Sequence, residues 1–340
     1  TRLQFSGIMI VRDGEFGRWQ EARIVESDLL STVWEFEPRC SAGGGVVGVP
    51  RPGVRVDLHC HTTFSDETLR YVPGLVYHPL LEPEEVYDLA KSRGMDFVTI
   101  TDHDTIRGCL ALMERRGSLP DCFFGEEVSV GFPEDGTVVH INVFDHDEAQ
   151  HAELQRLRSN IYDFVHYVRS IGKLYVINHL TWTQQHRVLK TWQIERILEL
   201  FDAFEGINGT RSYSHNAYAW FVTRGRGKAL VGGSDSHTNR VGTTYTLSQG
   251  ATPAELFDNI RAGQAAACGS FGTPEKLGED VWLVMQREVE RRLARATSAW
   301  GRLSCRALRQ FARLSYPLIC RGYHVRQNVL INAFLRAMPA

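Results

Sequence analysis

The sequence predicts an α/β protein, either a barrel or an open sheet of parallel strands with helical crossovers. Three observations carry this. Seven β-like runs follow one another from residue 54: VRVDLH, DFVTIT, CFFGEEVSV, TVVHINVF, KLYVINH, FEGING and KALVGGSD. Helical patterns lie between several of them, the alternation that goes with parallel sheets. Histidines and carboxylates recur at the ends of those runs, where barrels carry their chemistry.

Ahead of the first run, residues 1–45 read as a small β-rich extension with LQFSGIMIV and STVWEF, and SAGGGVVGVPRPG follows as a Gly/Pro linker. Residues 54–275 hold the alternation. Within it, PEEVYDLAKSRG has Pro83 where a first-turn proline belongs and Gly94 at its end. One long helical pattern covers 148–172, and others begin at Thr191 and His215. Residues 276–340 read as a basic helical tail, with Pro317 expected to break it.

A hydrophobic content of 43% and a charged content of 23% fit a soluble globular chain. No apolar run reaches the roughly 18 residues of a spanning helix, and TRLQFSGIMIVRDGEF lacks a signal-peptide core. The seven cysteines are scattered without a C-x-x-C, so neither a disulfide framework nor a thiolate zinc site is expected. A cytoplasmic setting fits, with peripheral membrane contact as the variant. The net charge of −2 conceals a split: from Arg287 onward eleven arginines face two glutamates, which leaves −11 for residues 1–286. An acidic body suits a site for several cations.

The motif VDLHCHTTFSD sets His59 and His61 two apart on a strand, so both imidazoles share a face and Cys60 takes the other. Asp66 follows. His103 comes after the second run, Glu126 and Glu127 lie in the third, His140 in the fourth, His179 ends the fifth, and Asp235 and His237 follow the seventh. A lone imidazole at a strand end is ordinarily a satisfied polar group. This many at corresponding places point to metal. A His/carboxylate set without thiolate suits Zn, Mn or Fe, and it exceeds what one ion takes.

H-x-H-T-x-x-S-D, TDHD, GEEVS, the isolated later histidines and the closing GSDSH together resemble the PHP (polymerase and histidinol phosphatase) family, from about Val54 to Ser270. The resemblance implies a distorted seven-stranded (β/α)7 barrel with three divalent metal ions (Zn, Mn or Fe). It also implies hydrolysis of phosphate mono- or diesters by a metal-bridging hydroxide. Carried over by motif, His59, His61, Glu127 and Asp235 hold one ion. Glu127, His140 and His179 hold a second, and Asp66, His103 and His237 a third. Glu127 is the bridge because the family sets its Glu second after Gly125, which turns Glu126 away. Two positions depart from the pattern, Glu67 after Ser-Asp and Leu180 after the fifth-strand histidine, and they bear on loop shape.

Beyond the ligands, Asn208, Arg211 and His215 are candidates for substrate contact. Arg211 would hold phosphate; His215 would protonate a leaving group or pack at a helix start. Asp102 and Asp104 read as supporting groups around His103. The histidines at 78, 146, 151, 166, 186 and 324 read as non-catalytic, although His78 joins Arg70 and Tyr77 in a long loop, 67–82, that is a candidate entrance. Trp182 and Trp192 read as packing aromatics or a stacking surface. The alternatives in function are a C–N hydrolase and a metal-stabilised docking module. The expected partner is a phosphorylated small molecule or nucleotide-like substrate. The basic tail would meet a second copy, the acidic body or an anionic membrane rather than nucleic acid, for which aromatic stacking positions are missing.

Overall fold

The computed structural model describes residues 8–12, 19–23, 53–65, 67–68, 76–223 and 225–336. The chain divides into two compact units, Thr1–Gly48 and Val49–Ala340. In the first, β1 (Ile8–Arg12) and β2 (Trp19–Arg23) pair antiparallel. STVWEF, most of the Gly/Pro linker, and residues 66 and 69–75 lie outside the described residues.

The second unit runs β3 (Val54–Val56), β4 (Glu67–Thr68), β5 (Val76–Tyr77), α1 (Pro83–Ser92), α2 (Arg107–Arg116), β6 (Gly125–Gly131) and β7 (Val138–Phe144). It continues with α3 (Glu148–Leu157), α4 (Ile161–Ser170), β8 (Tyr175–Ile177), α5 (Thr191–Leu200), β9 (Ala203–Asn208), α6 (Tyr213–Thr223) and β10 (Ala229–Gly233). It ends with β11 (Thr244–Ser248), α7 (Pro253–Arg261), β12 (Ala265–Gly269), α8 (Pro274–Arg295) and α9 (Ala299–Arg336). One sheet has the order β10-β9-β8-β7-β6, and another β12-β11-β3.

The α/β class holds, but the described ladders do not close into a seven-stranded parallel barrel. β6 pairs antiparallel with β7, and β7 with β8. The first reversal has a local cause. Phe132 to Thr137 make a tight turn, closed by the Phe132 amide on the Thr137 carbonyl (2.8 Å), with Gly136 at φ 70°. A turn that short leaves no room for a crossover helix. DFVTIT forms single parallel bridges, Val56 with Phe97 and Val98 with Cys122, in place of a ladder. Backbone bonds such as the Thr101 amide on the Cys60 carbonyl (2.9 Å) are supplemented by side chains: Thr101 Oγ1 accepts from the Cys60 amide (3.0 Å), and the next residue, Asp102, from the Thr62 amide (2.6 Å). Further bridges join His103 to Glu127 and Cys60 to Ser236. They connect both sheets around the chain segments that carry the histidines.

α1 begins as expected, with Pro83 in its first turn and a reciprocal cap between Glu82 and Glu85. The pattern over 148–172 is two helices, because Asn160 caps a new N-terminus by accepting from the Tyr162 amide (3.0 Å). Pro317 does not end the tail: α9 passes through it for 38 residues. The main core lies between β6–β9 and α3–α6, and Ile331 and Phe334 of α9 are buried in it. A second cluster packs Val56, Phe123, Phe144 and Val231 against Leu256, Phe257 and Ile260 of α7. Among the described residues no helix is long and apolar enough to cross a membrane.

Candidate metal centre

β3 continues as irregular chain that places His59 and His61 on one face. The Asp235 amide donates to the His59 carbonyl (2.6 Å) and the His61 amide to the Ser236 carbonyl (3.0 Å), which registers this segment against the one after β10. Cys60 points the other way, its Sγ on the Thr99 carbonyl (3.2 Å). On β6, Glu127 faces these histidines and Glu126 faces the opposite side, as strand alternation requires.

Glu127 is the hub. Its Oε2 lies 3.2 Å from His59 Nε2, 3.4 Å from His61 Nε2 and 3.1 Å from His103 Nδ1. Its Oε1 lies 2.9 Å from His140 Nδ1 and 3.1 Å from His179 Nε2. Asp235 Oδ1 closes the other side, 3.5 Å from His59 Nε2 and 3.4 Å from His61 Nε2. His237 lies beside His61, ring centres 4.3 Å apart and tilted by 32°. Around Glu127 and His61, four groups are spaced to hold an ion: His59/His61/Asp235, His59/Glu127/His179, His103/Glu127/His140 and His61/His103/His237. The structure thus gathers eight of the nine expected ligands; Asp66 lies outside the described residues.

Burial works against charge on Glu127, but His59, His140 and His103 hold its carboxyl well below the usual range. Asp235 is likewise held well below its usual value, burial being outweighed chiefly by His59 and His61. Burial disfavours protonated His59, yet Glu127, Asp235 and Glu205 raise its pKa well above normal. Burial and the neighbouring His237 push His61 down to about 4. Asp235 (φ 50°) and His179 (φ 21°) hold left-handed backbone, a strain that proteins keep mainly at working sites.

Supporting residues fix the ligands. Glu205 of β9 bonds His59 Nδ1 (2.8 Å) and accepts from the His179 amide (2.7 Å). Asn178 Nδ2 donates to Glu127 Oε1 (2.9 Å). Asp102 receives both the Thr62 amide and hydroxyl, and Asp104 receives the Ser129 amide (2.8 Å). Glu205 and Asn178 were not singled out from sequence. The available signal was an acid inside an apolar strand run, FDAFEGIN, since a buried carboxylate needs partners.

Asn208 Nδ2 donates to Glu205 (2.9 Å) and Asp235 (3.0 Å), and its Oδ1 accepts from Thr210 and Arg211. It thereby bridges Glu205 and Asp235. His215 is buried on α6 with Nδ1 hydrogen-bonded to Thr181 Oγ1, two residues after His179. The Arg211 guanidinium lies over Trp182 (5.9 Å) and close enough to His179 to lower its pKa, after burial. Trp182 itself sits 4.4 Å from the His140 ring, whereas Trp192 packs on Phe132 in the core (5.5 Å). Of the entrance candidates, Arg70 lies outside the described residues. The returning arm of the loop, after Tyr77 and His78, is pinned to the centre by the Leu80 amide on the His237 carbonyl (2.9 Å).

A mixed α/β scaffold that gathers imidazoles around one buried carboxylate has the build of a metal-dependent hydrolase. Residues 214–265, from α6 past α7, match the model of the PHP-associated family and include Asp235 and His237. The segment that carries Asp235 and His237 is thus similar to the PHP family. PsfC from Pseudomonas syringae aligns over 69% of this chain and 98% of its own at 15% identity, with a TM-score of 0.51, a likeness of fold. A two-domain protein from Bacteroides vulgatus containing a predicted PHP-like metal-dependent phosphoesterase aligns over 70% of this chain and 75% of its own (16% identity, TM-score 0.48). An amidohydrolase from Chromobacterium violaceum, with bound sulfate and no metal, aligns over 55% and 89% (19% identity, TM-score 0.43). No curated protein matches the chain.

Proposed function

We propose that the protein hydrolyses phosphate esters at a three-ion centre held by His59, His61, Asp66, His103, Glu127, His140, His179, Asp235 and His237. One observation carries this. His59 Nε2, His61 Nε2 and Glu127 Oε2 are buried and make no hydrogen bond among the described residues, although Glu127 Oε2 stands 3.2 and 3.4 Å from the two nitrogens. Buried polar atoms are nearly always satisfied, so shared cations fit them, and the donor set suits Zn, Mn or Fe. Such ions, when bound, polarise phosphoryl oxygens and acidify water. The protein's own part is positional. Glu205 and Asn178 fix His59 and Glu127, and Asn208 fixes Asp235. Arg211, held over Trp182, offers a cation to a non-bridging phosphoryl oxygen.

The test is turnover of p-nitrophenyl phosphate and bis-p-nitrophenyl phosphate with Mn²⁺ or Zn²⁺. One of the two should be hydrolysed by wild type and neither by Glu127→Gln. Wild type loaded with three ions and inert toward both, yet opening a cyclic amide, would move the reading to C–N hydrolysis.

For the tail we propose contact between copies of this chain. Trp300, Leu303, Phe311, Leu314, Leu318, Val325 and Val329 are exposed at helical spacing along one stripe of α9. One described cation, Arg321, lies on the stripe between Leu318 and Val325, and the rest of the stripe is an apolar surface that a second helix could cover. Sedimentation should give a dimer that Leu314→Glu dissociates; a monomer that binds anionic vesicles would favour the membrane.

A further inference from the structure

Glu126, turned away from the centre by strand alternation, meets a second set of potential ligands. It is fully buried. His146, just before the α3 N-cap Asp147, is buried with Nε2 2.9 Å from Glu126 Oε1. His151, on α3, places Nδ1 2.9 Å from Glu126 Oε2. One ligand atom from each of the three lies within 4.8 Å of the others. Gln155, one turn on along the same face of α3, donates Nε2 to Glu126 Oε2 (2.9 Å) and holds the carboxylate in place.

The hydrogen bonds present do not account for this cluster. Glu126 Oε1 and both ring nitrogens of His146 are buried and make no hydrogen bond among the described residues, although Oε1 and Nε2 face each other at 2.9 Å. Burying polar atoms without well-directed hydrogen bonds is costly. A cation between Glu126 Oε1 and His146 Nε2 would satisfy two of them at once, with His151 Nδ1 as third donor.

We propose that Glu126, His146 and His151 form a mononuclear divalent-metal site of the zinc class, behind the Glu127 centre and separate from it. Two imidazoles and a carboxylate are a zinc donor set. His151 is partly open to solvent (22% exposed), which gives an ion a route in from that side. It ties β6 to the start of α3 and braces the strand that presents Glu127. The inference rests on these three residues and not on the phosphoesterase reading.

Zinc-edge anomalous diffraction from crystals of the full chain grown with Zn²⁺ tests it. The expected result is a peak about 2.0–2.2 Å from His146 Nε2 and His151 Nδ1, resolved from those around Glu127. No peak there while the Glu127 centre is filled overturns the site. In solution, metal analysis of folded His151→Ala should read one ion per chain fewer than wild type. Equal metal content in the two proteins overturns it as well.

Discussion

At the scale of single residues, the centre depends on groups that are not themselves ligands. A Cβ on Gly233 would collide with the His59 side chain and backbone. Gly233→Ala should therefore displace His59 and lower metal content and turnover together, with the circular-dichroism spectrum intact; retained metal would mean that the segment after β3 can shift to make room. Glu205→Gln keeps the shape but weakens the hold on His59 Nδ1. It should cost about 10–100-fold in metal affinity, read by chelator competition. The His59/His61 pair was legible because side chains two apart on extended chain share a face. Glu205 was not, because nothing in FEGING tells which strand will lie beside His59. Asn208 was picked out for its place after a strand, but its role follows from Asp235, far away in sequence.

At the scale of elements, the hydrophobic period located most strands and helices, and it overstated a stretch where pairing is broken into isolated bridges with side-chain bonds between them. DFVTIT has the apolar pattern of a full strand, yet Thr101 and Asp102 bond the neighbouring segment through their side chains. β12, AAACG, lacks β-branched residues and was passed over; pairing with β11 sets its conformation. Pro317 shows the reverse, a local rule outvoted by context. Its ring is exposed, so little packing is lost on replacement, while a proline inside a helix costs roughly 3 kcal/mol. Pro317→Ala should stabilise the protein, and a raised urea midpoint would report it. An unchanged or lower midpoint would show that α9 is already bent to suit the proline.

At the scale of the whole molecule, the charge split suggested that the tail docks through its basic face. The contact actually seen is apolar: Phe334 is fully buried and meets Tyr218 edge-on, ring centres 5.4 Å apart. Charge counts cannot reveal this, because two apolar side chains near the end of a 38-residue helix leave no trace in a net charge. Phe334→Ala should cost about 3–5 kcal/mol in denaturant unfolding, and ending the chain after Ala296 should cost more. Metal content should survive Phe334→Ala, since every described ligand lies between His59 and His237. If stability is unchanged in both variants, α9 is not part of the folded body.

Trp182 has one more consequence. Its indole lies 4.4 Å from the His140 ring and 5.2 Å from that of His179, so the protein carries its own optical reporter of occupancy. Paramagnetic Co²⁺ or Mn²⁺ arriving at those imidazoles should quench its emission, and Trp182→Phe should abolish the change while leaving metal uptake in place. Filling could then be followed in real time by fluorescence, without a substrate.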